Sequence, residues 1–506
     1  MELKVLSDAL KTSDFPVEFP GHWIHGAWVN DRRAVLIDSS INPCTGAVLT
    51  KPSLSTHLIN QAVEASQSCF TAGVRMSFEE RLEILGKFRQ VCADYEELIE
   101  RALCVELGIP MWEVKSELDF THKALEAILD KGPLVKESLK SGYGFDNVKA
   151  QVVLKPLGPV IAFIPFSTPF LSFTQAFSSA LISGCPLVVM TSSHACLCSM
   201  IFTQIVSKLG LPDGFFNSLF GSYKFFIKAL QDKRLKAVIY SGSREHCDSI
   251  RRDYVSDCSR ELVLYSGGKN AVIVDQSAQL DLAVELCLKG VIKTAGQLNS
   301  STSQVFVPRQ LLSQFNEALV ARLKDIKIGP EFVQWSADSV CVADRNVLGP
   351  LYSKKALEKF LRFQTMAKRE ASETLVWGKA IDAGSDGYFV TPGIHFFESF
   401  DASSAYQSNV FMCPDLSIYA YDSIEQAVSS ANATAAPFIV SLIGADSDRL
   451  ASLTNGLDAP NVLFNQATVD ISLFDAAAGR NIAGGHRYAG FQVANLLTYP
   501  QFIFKG

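Results

Sequence analysis

The sequence predicts an α/β protein with mainly parallel sheets, divided into at least two domains, and three observations carry that expectation. Its 506 residues exceed what one hydrophobic core accommodates. From Pro156 to Ser207 there is no Asp, Glu, Lys or Arg, and Pro165, Pro169, Gly184 and Pro186 cut this stretch into pieces too short to cross a membrane. It therefore reads as a buried strand, helix and strand of a parallel sheet. After it, strand-like and helix-like segments alternate in series, the pattern of repeated βαβ units.

Composition narrows the function classes. With 48% hydrophobic and 19% charged residues the chain is an ordinary well-packed globular protein. A net charge of −6 without a run of like charges gives no footprint for nucleic acid. The first residues lack a continuous apolar core and a small-residue cleavage site, and the twelve cysteines, among them Cys92, Cys104, Cys185 and Cys287, are scattered through apolar segments. The expectation is a cytoplasmic protein with reduced, buried thiols. Cys196-Leu-Cys198 has no second pair at histidine spacing, so no metal is expected.

In chain order, His22–Val29 reads as a hairpin, and Ile41–Leu49 as a turn leading into a strand. Phe78–Gly108 has apolar residues at helical spacing and stops at Gly108-Ile-Pro110; Glu113–Leu129 repeats the pattern, and both read as core packing. Lys149–Leu154 alternates as a strand and turns at Pro156-Leu-Gly-Pro159 into Val160–Ile164. Strands follow at Leu187–Met190, Phe215–Phe220 and Ala237–Tyr240. The theme restarts with Ala271–Val274, a helix from Asp281 to Thr294, a small-residue loop into a strand at Val307, and a helix over Leu311–Leu323. Gly387–Ile394 and Leu416–Tyr421 read as strands, Ile424–Asn432 as a helix and Leu497–Phe504 as a final strand.

Seven short motifs, in this order, carry a resemblance: Pro165-Phe-Ser-Thr-Pro169, Gly210-Leu-Pro-Asp-Gly214, Ser241-Gly-Ser243, Gly267-Gly-Lys269, Gly296-Gln297, Gly387-Tyr-Phe389 and Gly484-Gly-His-Arg-Tyr-Ala-Gly490. Over nearly its full length the chain resembles the aldehyde dehydrogenase superfamily. Gly26-Ala-Trp28, Val291–Gln297 and the ending into Tyr499-Pro500 are most similar to succinylglutamic semialdehyde dehydrogenases. The resemblance implies two Rossmann-like α/β domains and a β-strand arm. Residues 1–146 and 159–264 would form the cofactor-binding-type domain, 265–470 the catalytic-type domain, and 147–158 with 484–506 the oligomerisation arm. It also implies NAD or NADP as cofactor and a homodimer or homotetramer, with the Lys149–Leu154 and Leu497–Phe504 edges pairing between subunits.

The resembled reaction needs a thiolate, an oxyanion donor, a bound dinucleotide and a base. At the nucleophile position, after Thr294-Ala-Gly-Gln297, this chain has Asn299, whose amide can neither attack nor carry an acyl group. Tyr265 stands at the general-base position, and a phenol is a poor base at neutral pH. Ser167 replaces the oxyanion asparagine. Thr191 replaces the ribose-binding lysine, and Asn409, with Phe411 two residues on, begins the loop in which the second cofactor carboxylate is lost. Gly221, Ser241, Gly242 and Ser243 remain as candidate cofactor contacts, because a helix N-terminus there would present N–H groups to a pyrophosphate; a tight turn requiring small residues explains them equally well.

The motifs retained are those the fold needs, and those lost are those the reaction needs. The expectation is therefore a catalytically inactive pseudoenzyme kept for binding or assembly, with a small carboxylate-bearing ligand or a protein as partner. The alternative is an active NAD(P)-dependent aldehyde or semialdehyde oxidoreductase, or an acyl hydrolase, working through Ser300, Ser301 or Cys413.

Overall fold

The computed structural model describes residues 3–73, 76–141, 150–254, 256–257, 259–333, 345–434, 436–471 and 493–504. The Gly484–Gly490 motif lies outside them. Two seven-stranded sheets organise the chain. The strands that matter here are β1 (His22–Ile24), β2 (Ala27–Val29), β3 (Ala150–Pro156), β4 (Val160–Ile164), β5 (Leu187–Ser192), β6 (Phe216–Gly221), β7 (Ala237–Ser241) and β8 (Glu261–Tyr265). In the second half they are β9 (Asn270–Val274), β10 (Thr302–Pro308), β11 (Glu373–Val376), β12 (Gly393–Phe397), β13 (Asp415–Tyr421), β14 (Ile439–Ile443), β15 (Asn461–Phe464) and β16 (Thr498–Phe504).

The first sheet runs β8-β7-β4-β5-β6-β1-β2, parallel from β8 to β6 and closed by the antiparallel β1–β2 hairpin. The second runs β11-β12-β13-β10-β9-β14-β15, parallel except for the edge strand β11. Helices cover the sheets, so the fold is the two-sheet α/β architecture that the sequence predicts. The central strands β4, β6, β7 and β9 are buried at every position, which is why they read as unbroken apolar runs rather than alternations.

Four helices position the site: α1 (Met111–Ser141), α2 (Pro169–Ser183), α3 (Cys196–Ser207) and α4 (Tyr223–Ala229). With them belong α5 (Arg244–Tyr254) and α6 (Leu280–Ile292). The charge-free stretch is β4, α2, β5 and α3, and every residue of α2 is buried. Helix α1 begins after Pro110 and is longer than its apolar spacing indicated.

The structure corrects two local expectations. Phe78–Gly108 is two helices, Phe78–Asp94 and Glu96–Leu107, because Tyr95 leaves helical geometry. The strand expected at Gly387–Ile394 begins only at Gly393; before it, Val390 makes an isolated bridge to Ala380. Strand β16 runs antiparallel to β3 within one chain, from Thr498↔Pro156 to Phe504↔Ala150. All ten described cysteines are free and buried. Among the described residues no helix is long and apolar enough to cross a membrane, and no group of His, Cys, Asp or Glu has the arrangement of a metal site.

Candidate active site

The loop that leaves α6 takes an unusual path. Thr294, Ala295 and Gly296 all adopt left-handed backbone, φ 50°, 49° and 66°. This geometry costs about 1–2 kcal/mol at each non-glycine position, so something must hold it. Glu113 of α1 does: its Oε2 accepts from Thr294 N–H at 2.7 Å and from Thr294 Oγ1 at 2.8 Å. Beyond the loop, Asn270 Nδ2 donates to the carbonyls of Asn299 and Ser301, 2.9 Å each, so the backbone at 299 is fixed. Gly267 approaches that backbone closely, since a Cβ there would lie 2.8 Å from Asn299 Cα.

The Asn299 side chain faces a cavity of about 720 Å³, mouth included, and donates through Nδ2 to Ser241 Oγ at 3.3 Å. Ser167, in the loop between β4 and α2, lines the same cavity, as do Thr168, Ser300 and the apolar side chains of Phe120, Leu171 and Phe438. Asn299 and Ser167 therefore meet in one cleft.

Sequence reasoning missed the charged groups of that cleft. Glu113, Glu117 and Lys293 all line it and all are buried. The first two are four residues apart, one helical turn, on a helix assigned to core packing alone. Glu117 Oε1 accepts from Phe170 N–H (2.8 Å) and Leu171 N–H (3.2 Å), supplying the cap of α2 that Thr168 does not provide. Burial pushes both carboxyls up to about 7, although their N–H partners and the Lys293 charge pull the other way. Burial equally lowers the Lys293 ammonium, whose Nζ donates to Ser116 Oγ at 2.8 Å. An acidic pair spaced by one turn, followed far along the chain by a lysine in an apolar helix end, was the available signal.

A carboxyl raised on folding binds more protons in the native than in the unfolded state between its two values. Glu117 thus stabilises the chain below about 4.5, and that contribution disappears as pH rises through about 7. Glu117→Gln keeps an acceptor for the α2 N–H groups but does not titrate. The wild-type-minus-variant unfolding free energy is expected to fall by roughly 3 kcal/mol between pH 4 and pH 8. Urea unfolding at the two pH values measures it, and a pH-independent difference would refute the assignment.

Tyr265 does not reach the cleft. It ends β8, is 4% exposed and packs in the first core, where its hydroxyl accepts from Gln175 Nε2 at 3.2 Å. Burial pushes the phenol above its ordinary range, so at the expected base position there is no base.

The expected cofactor contacts are likewise engaged internally. Thr191 is fully buried and its Oγ1 accepts from Ser199 Oγ at 2.8 Å. Gly221 closes β6 against Met190 and Leu54. In the turn from β7 to α5, Gly242 N–H donates to Tyr265 O at 3.0 Å, Ser243 Oγ caps His246 N–H at 3.4 Å, and Ser241 holds Asn299. Tyr240 folds back beneath Gly242 and meets His246 Nδ1 at 2.9 Å, while the His246 ring stacks on Tyr223 at 3.5 Å. Asn409 Nδ2 donates to its own loop at Ala405 O, and Phe411 stacks on Phe363 at 3.7 Å. None of these positions carries a cation for a dinucleotide's phosphates, and the side-chain oxygens of Thr191, Ser241 and Ser243 each accept a hydrogen bond from within the protein.

The substitute nucleophiles fare no better. Cys413 is buried and its thiol is pushed well up, first by burial and then by the Asp415 charge. Ser301 Oγ accepts from Leu298 N–H. Ser300 lines the cleft, and none of the hydrogen bonds or ion pairs seen among the described residues joins it to a base.

Two mainly parallel α/β sheets thus bring the Asn299 loop and the Ser167 loop together at one cleft. The model of the aldehyde dehydrogenase family matches residues 28–502, and the chain belongs to that family. It is 26% identical over 413 residues to a malonate-semialdehyde dehydrogenase of Lacticaseibacillus casei, covering 81% of each chain. It is 24% identical over 498 residues to an alpha-ketoglutaric semialdehyde dehydrogenase of Bacillus subtilis, covering 96% of this chain and 97% of that one. The betaine aldehyde dehydrogenase of Staphylococcus aureus in complex with NAD⁺ superposes with a TM-score of 0.87 at 21% identity, covering 98% and 97%. These structural likenesses establish the shared fold.

Proposed function

We propose that this chain is an aldehyde dehydrogenase-family protein with a degenerate active site, catalytically inactive as a dehydrogenase and kept for binding or assembly. The observation that carries this reading is the pair Asn299 and Tyr265. At the nucleophile position an amide is tied to Ser241, and at the base position a phenol is bonded inside the core. Restoring one of the two leaves the other missing. The ten buried, free thiols support a reducing compartment such as the cytoplasm. The β3–β16 ribbon, carrying exposed Tyr499, Phe502 and Ile503, supports a homodimer or homotetramer. The cleft's apolar walls with a few polar groups suit a small ligand, a carboxylate-bearing one included.

Two measurements test the reading. With NAD⁺ or NADP⁺ and a panel of aldehydes and semialdehydes, no aldehyde-dependent reduction of the nicotinamide is expected; robust turnover by the unsubstituted chain would overturn it. In calorimetric titration with NAD⁺, NADH and NADP⁺, no heat is expected up to millimolar ligand. Micromolar binding would instead favour the second reading, an active NAD(P)-dependent semialdehyde oxidoreductase or acyl hydrolase of altered mechanism, which the similarity to proteins named semialdehyde dehydrogenases supports. Ser300→Ala, Ser301→Ala and Cys413→Ala, assayed singly, would then identify its nucleophile.

A further inference from the structure

The cleft that lacks a thiol keeps another nucleophile. Lys293 is 6% exposed and lines the cavity beside Thr294 and Asn299. Its Nζ lies 5.3 Å from the Phe120 ring centroid and 6.0 Å from that of Trp112, and its hydrogen-bond partner is a serine hydroxyl rather than a carboxylate. Glu113 has one oxygen committed to Thr294, while Oε1, also buried, has no partner. A buried amine, an apolar wall and an acid with a free oxygen therefore line one open cavity.

We infer that Lys293 captures small aldehydes in this cleft as a Schiff base, with Glu113 as the proton donor. The neutral amine attacks the aldehyde carbon and the carbonyl becomes a hydroxyl, giving a carbinolamine. Protonated Glu113 gives its proton to that hydroxyl, which leaves as water while the nitrogen lone pair forms the C=N bond. The products are an iminium on Lys293, a Glu113 carboxylate and one water; no electrons are exchanged with any oxidant. Burial suits both partners to this exchange, because it favours the uncharged amine and the uncharged acid together. The charged groups acting on Lys293 are, in order of effect, Glu113 of α1, Asp470, Lys289 of α6 and Glu117 of α1. The inference does not depend on whether any dehydrogenation occurs, and its test contains no nicotinamide.

The purified chain is incubated with pentanal and sodium cyanoborohydride at pH 7, and the alkylated lysines are mapped by peptide mass spectrometry. Lys293 is expected to be labelled ahead of every surface lysine, because burial lowers its ammonium and so raises the share of neutral amine at pH 7. Lys293→Arg keeps the charge and the hydrogen bond to Ser116 but forms no imine, so it should lose only that label. Its circular dichroism melt establishes that it folds. Glu113→Gln can still accept from Thr294 and should slow labelling at Lys293 without affecting surface sites. Labelling spread evenly over surface lysines, with Lys293 unmodified in the folded, unsubstituted chain, overturns the inference. So does labelling of Lys293 at the surface-lysine rate.

Discussion

Asn299→Cys is expected to give a chain whose new thiol is alkylated by iodoacetamide, yet which reduces NAD⁺ with aldehyde no faster than the unsubstituted protein. The thiol would face the same cavity as the amide it replaces. The rest of the reaction would still lack its parts. A positioned general base contributes about 10²–10⁴-fold, and Tyr265 is turned into the first core with its phenol held by Gln175. Tyr265→Glu would not repair this cheaply, because it would place a carboxyl in an apolar site that already pushes ionisable groups toward their neutral forms. The assay is NADH absorbance with an active family member run alongside. Turnover by Asn299→Cys within tenfold of that control would show that a single residue accounts for the loss.

Gly296→Ala is expected to destabilise the fold by roughly 3–5 kcal/mol. At φ 66° an L-residue is strained before any contact is considered. The added Cβ would also lie 2.2 Å from the Cys413 carbonyl oxygen and 2.4 Å from its carbon, which are backbone atoms that cannot swing aside. The preceding Thr294 and Ala295 are already left-handed, so the loop has no slack to absorb a shift. Urea titration of the two chains measures the difference; a loss under about 1 kcal/mol would mean that the loop relaxes freely.

The sequence announced the architecture because burial of central parallel strands leaves a strong mark. The charge-free run from Pro156 to Ser207 reads as a buried strand, helix and strand of a parallel sheet, and the structure places β4, α2, β5 and then a further buried helix, α3, there. The short edge strands were harder to read. Neither β11, antiparallel and half-exposed, nor β15 stood out, because strands of four residues at a sheet edge carry little hydrophobic pattern. In the site, the loop positions Asn299 and Ser167 were legible from motif order, whereas Glu113, Glu117 and Lys293 were not. Their meaning comes from burial against segments far away in the chain, α2 and the 294 loop, and periodicity alone gives Glu113 and Glu117 the look of a solvated helix face. The direction of Tyr265 was also beyond reach, since a strand's last residue can face either side of its sheet.

The ribbon formed by β3 and β16 bears on how the polypeptide matures during synthesis. Val493, Ala494 and Leu497, immediately before β16, pack in the core of the first sheet, and Cys185 Sγ donates to the Leu497 carbonyl across 312 residues of chain. The first sheet therefore draws part of its core from a segment translated after the second sheet. While the ribosome makes the second sheet, strand β3 has no mate and part of the α2 surface stands open. A nascent chain halted before residue 493 should expose that apolar face to chaperones, and synthesis of residues 493–504 should close it.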